Sequence, residues 1–198
     1  MATVLSVCGS PSPTSRTARL LGHLDSRLRD RGHEVTAFAV SALPAEALMA
    51  GDGSHPALAR VRDLVARADG LVVGTPVYKA AYSGVLKCLL DLLPQHALVG
   101  KPVLPLATGG SSAHVLAIDY ALRPVLHAMG AAHVAPGRFL LDQVVTVGAD
   151  GVATIAAEAR AQLTAMADQF GELLTAGWPV FPLGAAWADS PAVAPRPC

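Results

Sequence analysis

Short apolar runs alternate with longer amphipathic stretches along most of this chain, and that alternation limits the fold more than any other feature. Thr3-Val4-Leu5-Ser6-Val7-Cys8 reads as a buried strand ended by Gly9. Residues 15–31 read as a helix, with Ala18, Leu21, Leu24 and Leu28 on one side and Gly32 as its stop. A second strand is expected over 34–40, then a loop over 41–56 with room for one helical turn, then a helix over 57–68. Leu71-Val72-Val73 is a third strand, followed by a helix over 82–93 stopped at Pro94. A fourth strand over 102–107 precedes a helix over 113–129 that carries Pro124. The stretch 132–140 holds a fifth strand interrupted at Pro136-Gly137, and a last helix is expected over 155–174.

Repeated β-α order implies a parallel sheet with helices on both faces, joined by right-handed crossovers. Five such strands predict an α/β, flavodoxin-like doubly wound sheet of order 2-1-3-4-5, with a ligand beyond the carboxyl ends of its strands. A chain of 198 residues suits one such domain, expected over 1–176, with a Pro/Ala-rich tail over 177–198.

Composition removes several function classes. Lys plus Arg equals Asp plus Glu, so no net charge favours nucleic acid or a membrane surface. No apolar run reaches the roughly 20 residues that span a bilayer. The N-terminus has no basic segment ahead of its apolar run, so a cytoplasmic protein is expected. Three cysteines suit no disulfide framework, and seven histidines show no metal-binding spacing, so no metal is expected. Low charge beside 52% hydrophobic residues points to surface hidden in an oligomer.

Three strand-to-helix loops carry the chemistry. The first, Gly9-Ser10-Pro11-Ser12-Pro13-Thr14-Ser15-Arg16-Thr17, places five hydroxyls and a guanidinium before a helix. A helix N-terminus with such donors suits a phosphate. A capped helix with nothing bound has the same pattern. It is neither a GxGxxG fingerprint nor a P-loop. The second runs from Gly74 through Thr75, Pro76, Val77, Tyr78 and Lys79 to Lys87. Pro76 stiffens it and Tyr78 offers a flat face, which suits a planar ligand such as a flavin. A plain loop with buried tyrosines is the alternative. The third, Thr108-Gly109-Gly110-Ser111-Ser112, allows close backbone approach, or else is a tight turn before a helix. In the expected sheet all three loops meet at one edge, which favours a shared ligand.

These residues together resemble the NADPH-dependent FMN reductases. Within them the chain is most similar to the reductases of two-component alkanesulfonate monooxygenase systems. The likeness runs from Thr3 to about Leu174 and is most specific in the second loop. It implies that Ser10, Ser12, Ser15, Arg16 and Thr17 hold the FMN phosphate. Thr75, Pro76, Val77 and Tyr78 would lie along the isoalloxazine, and Thr108, Gly109, Gly110 and Ser111 would border its pyrimidine edge. Ile118-Asp119-Tyr120-Ala121-Leu122 resembles a stretch in which an extra tyrosine, here Tyr120, creates a π-bulge at a subunit contact. A buried helical aromatic is the other reading of Tyr120.

The resemblance implies an enzyme with FMN and NADPH as cofactors, NADH being possible, and no catalytic side chain beyond those that position the flavin. It also implies a homodimer or homotetramer that passes reduced FMN to a partner monooxygenase. A quinone or azo-compound reductase with retained FMN is the nearest alternative on the same fold. A flavodoxin-like electron carrier is another, although such carriers are acidic and this chain is neutral.

Overall fold

The computed structural model describes residues 1–148 and 152–176, so the expected tail lies outside the described residues. In chain order the elements are β1 (Thr3–Cys8), α1 (Arg16–Asp30), β2 (Glu34–Ala39), α2 (Ala45–Ala50), α3 (Pro56–Arg67), β3 (Gly70–Tyr78), β4 (Ala81–Tyr82) and α4 (Gly84–Asp91). They continue with β5 (Pro102–Gly109), a π-helical turn (Ile118–Leu122), α5 (Arg123–Ala128), β6 (His133–Val134), β7 (Arg138–Leu141), β8 (Val145–Val147), β9 (Ala153–Ile155) and α6 (Ala157–Ala176). The main sheet is parallel with order β2-β1-β3-β5-β6, the predicted 2-1-3-4-5 arrangement. β7 extends its last position and β4 folds back on β3.

Side chains alternate between the two faces, as the strand period demands. Val4, Val72 and Leu104 pack under α1 and α6, with Leu20, Leu24, Leu28, Leu163 and Phe170. Leu5, Leu71, Val73 and Val103 face the other way, against Leu58 and Val61 of α3, Leu86 and Leu89 of α4, and Leu126 of α5. β3 is buried as far as Val77 and β5 along its whole length, which is why both read as continuous apolar runs.

Three expectations need correction, and each has a local cause. β3 does not stop at Val73 but runs to Tyr78. Pro76 is tolerated because its missing donor faces β1. The Gly74 carbonyl takes its bond from Gly9 on that side, and β1 has ended by the next residue of the same parity. The helix after it therefore starts at Gly84, and Tyr82 belongs to β4.

The expected helix over 113–129 is broken into a 3₁₀ turn (Ser112–His114), the π turn and α5. Pro124 has no N–H to offer the Tyr120 carbonyl. The Arg123 amide bonds Ile118 instead, and the helix widens there. The fifth strand is interrupted at Pro136-Gly137 as expected, into β6 and β7, because Pro105 in β5 has no donor on that side. A Cβ on Gly137 would stand 2.7 Å from Pro105 Cγ and 2.8 Å from its carbonyl oxygen, so only glycine passes the gap. Finally, the last helix starts at Ala157, because 153–155 pair with Val145–Val147 as an antiparallel hairpin.

Candidate active site

The exit of β1 is sealed by backbone contacts. The Gly9 amide donates to the Gly74 carbonyl at 2.7 Å. Ser83 Oγ donates to the Gly9 carbonyl and accepts from the Leu86 amide at 3.2 Å, so one hydroxyl caps α4 and ties it to the first loop. A Cβ at Gly9 would lie 2.8 Å from Leu86 Cβ, so glycine is required by packing here.

Beyond Gly9 the chain turns into α1. Ser10 is buried, and its Oγ accepts from the Ser12 amide at 3.2 Å. Ser12 and Thr14 share a 3.4 Å hydroxyl contact at the surface. Ser15 is the N-cap of α1, accepting from the Ala18 amide at 3.1 Å. The amides of Arg16 and Thr17, ahead of Ala18, stay uncapped at the head of the helix. Exposed Arg16 donates its Nε to the Val145 carbonyl at 3.4 Å, and its terminal nitrogens have no hydrogen-bond partner among the described residues. No signal in the sequence pointed to Val145.

The three predicted loops do meet. Thr17 of the first and Thr108 of the third join their hydroxyls at 2.7 Å in a buried contact. Pro76 of the second pairs in register with Thr108. Apart from half-buried Ser15, the predicted residues separate into two sets. Ser10, Thr17, Thr75, Pro76, Val77, Thr108 and Gly109 are buried, whereas Ser12, Arg16, Tyr78, Gly110, Ser111 and Tyr120 are exposed. Several hydroxyls are engaged within the chain. Thr75 Oγ1 donates to the Pro76 carbonyl at 2.9 Å and accepts from the Ser83 amide at 3.0 Å. Ser111 Oγ accepts from the Ala113 amide at 3.2 Å. Gly109 sits under the Phe139 ring, where a Cβ would meet its edge at 3.0 Å.

The other side of the site is a tight hairpin. Val77 pairs with Tyr82 and Tyr78 with Ala81, so Lys79 and Ala80 alone make the turn. Both have left-handed backbones, φ 52° and 65°. Such turns ordinarily use Asn-Gly or Gly, so sequence reading missed this one. Tyr78 is 54% exposed. β4 packs against the π turn, on which Tyr120 is 79% exposed beside half-exposed Val115 and Leu116. The structure thus has the π turn implied by resemblance, and it rejects the buried-aromatic reading of Tyr120 within this chain.

Charge near the first loop is restrained. Burial pushes the Cys8 thiol up, although the Ser10 amide and Ser15 hydroxyl beside it pull the other way. Burial thus disfavours the thiolate form of Cys8. Asp25 of α1 is buried, and its Oδ1 has no partner among the described residues. Burial raises its carboxyl, partly offset by the Ser6 hydroxyl and Arg29. It lines a cavity of about 250 Å³ with Ser6, Cys8 and Leu21. Lys87 and Asp91 form an i, i+4 ion pair on the surface at 2.6 Å.

The head of α1, with an exposed guanidinium, thus stands beside the ends of β3 and β5. The sequence pattern of the NADPH-dependent FMN reductases matches residues 2–146. The chain belongs to that family. The FMN reductase (NADPH) of Pseudomonas putida is 53% identical over 142 residues, 72% of each chain. That of Escherichia coli is 48% identical over 142 residues, 72% of this chain and 74% of its own. The apo crystal structure of an NADH:FMN oxidoreductase superimposes with a TM-score of 0.82 at 38% identity, over 96% of this chain and 100% of the other. The reductase is thus an oxidoreductase acting on FMN. Among its described residues, no helix is long and apolar enough to cross a membrane.

Proposed function

We propose that this FMN reductase binds FMN across the ends of β1, β3 and β5, takes reducing equivalents from NADPH and releases reduced FMN to a flavin-dependent monooxygenase of the alkanesulfonate type. The reading includes a cytoplasmic location and a homodimer or homotetramer. The observation that carries it is the donor set at the head of α1. Uncapped amides, Ser12 and the exposed guanidinium of Arg16 stand together where the helix dipole is positive. That chemistry fits a phosphate monoester, and the neighbouring strand ends fit a flat ring.

The residues divide the work. Arg16, Ser12 and the first amides of α1 grip the phosphate. Ser10, Ser15 and Thr17 shape that grip, since their hydroxyls are already bonded within the chain. Pro76, Val77 and Tyr78 form the platform, which Thr75 stiffens through Ser83. Gly109 and Gly110 let backbone amides approach the ring edge, with Ser111 holding the turn after them. When bound, the flavin and nicotinamide supply the hydride chemistry themselves, so no side-chain acid or nucleophile is called for.

Reversible FMN binding agrees with a platform that offers few free side-chain donors. Exposed Tyr120, Val115 and Leu116 support an assembly through the π turn. The test is to follow NADPH oxidation by absorbance while FMN is varied. Turnover that saturates with added FMN supports the reading. Turnover only with a quinone or azo compound, with FMN retained, supports the alternative reductase, and no oxidation with any acceptor rejects both.

A further inference from the structure

We propose that Lys79, at the tip of the β3–β4 hairpin, receives a phosphate of the reduced nicotinamide dinucleotide. This rests on the reading of the site given above. Lys79 and Ala80 are the only non-glycine residues with positive φ among the described residues, and they are adjacent. Side-chain-bearing residues rarely hold such backbones, and when they do the strain clusters at ligand clamps and active sites. Here the hairpin register holds the strain in place, because Tyr78 and Ala81 pair immediately beneath the tip. The tip is therefore fixed and is not a loose loop.

Its ammonium is free to act. Lys79 is exposed and takes part in no ion pair or hydrogen bond among the described residues. Other cations on this side are engaged: Lys87 with Asp91 at 2.6 Å, and Arg123 with Asp119 at 3.0 Å and the Val134 carbonyl at 2.6 Å. Arg16 stands after β1 and serves the FMN phosphate. Lys79 stands after β3, next to the half-exposed Tyr78. A dinucleotide whose ring lies at this strand end carries its anionic phosphates outward over the rim, where Lys79 is an unpaired cation among the described residues. Lysine suits such a contact as a point charge that tolerates several angles of approach.

The experiment titrates NADP⁺ into the FMN-loaded protein by calorimetry, for wild type, Lys79→Gln, Lys79→Arg and Lys79→Gly. The expected result is an about tenfold rise in the NADP⁺ Kd for Lys79→Gln and Lys79→Gly, with recovery in Lys79→Arg. Lys79→Gly separates charge from turn: relief of the strained φ raises its Tm while dinucleotide affinity still falls. KM values assign the phosphate. A rise for NADPH alone marks the 2′-phosphate, and an equal rise for NADPH and NADH marks the pyrophosphate. An unchanged NADP⁺ Kd in Lys79→Gln, or a loss of FMN affinity in its place, overturns the proposal. Absence of FMN turnover in the wild type would overturn the site reading itself. The binding titration judges Lys79 separately, because it needs no turnover.

Discussion

The two walls of the site are built on opposite terms. On the α1 wall every hydroxyl that points inward is bonded: Thr17 to Thr108, Ser15 to Ala18, Ser83 to Gly9 and Leu86. Gly9 is hemmed in by Leu86 and the Gly74 carbonyl. On the hairpin and π wall the side chains stand outward. Tyr78 and Tyr120 are more than half exposed, two residues hold left-handed backbones, and a helix is wound too wide. A wall closed by internal bonds is preformed for one charged group. A wall with exposed aromatics is finished by whatever binds it, either ligand or a second subunit. The contrast suits the proposed function, in which a phosphate is gripped and the reduced flavin leaves.

The largest effect expected from breaking the closed wall is on folding. In Gly9→Ala the new methyl meets Leu86 Cβ and a backbone oxygen, neither of which moves freely. Urea unfolding is expected to show a loss of about 3 kcal/mol, at the upper end for overpacking. Arg16→Ala acts on the ligand and not on the fold. It removes charge-assisted bonds of about 2 kcal/mol, so the FMN Kd rises about 30-fold by fluorescence titration. Riboflavin, which lacks the phosphate, should bind as before; equal losses would remove Arg16 from the phosphate site.

Thr17→Val leaves the Thr108 hydroxyl buried without its partner and is expected to cost about 1–2 kcal/mol of stability. Asp25 is a loose place in the closed wall, its buried Oδ1 without a partner among the described residues. Its folded carboxyl is raised by burial, so the native state holds the proton to higher pH than the unfolded chain. Stability then falls as pH rises above the ordinary carboxylate range. Asp25→Asn removes that loss: its Tm should exceed wild type at pH 7, and the two should converge near about pH 3. No pH dependence in the difference would mean that Asp25 is not the titrating group. The smallest folding effect belongs to the open wall. Tyr120→Ala should change unfolding of the isolated chain by less than about 0.5 kcal/mol. It should instead raise the fraction of monomer in sedimentation and change the FMN off-rate. An unchanged assembly would deny the π turn its contact role.

How much of this was legible followed from how local each cause is. The strand Thr3–Cys8 and the Ser15 cap depend on neighbours in sequence, and they stand where the pattern put them. Pro76 looked like a strand end, because nothing local reveals that its missing donor faces an empty side of the ladder. Pro124 was seen inside a helix, but the wide turn ahead of it depends on which carbonyl the Arg123 amide reaches. The Lys79-Ala80 turn lacks the glycine or asparagine that usually marks a hairpin. Pairing of Tyr78 with Ala81 imposes its shape from outside.

By itself, the sequence determined the α/β order, the burial of β3 and β5, and the three loops that carry hydroxyls, an aromatic and glycines. These follow from periodicity and from residues that act on their own backbone. Only the tertiary structure decided which of those groups are free. The hydroxyls of Thr17, Thr75 and Thr108 are turned to one another or to the backbone, while Arg16, Lys79, Tyr78 and Tyr120 are left facing out. A polar side chain is satisfied by its neighbours in space, and the partner of Thr17 lies 91 positions away in the chain.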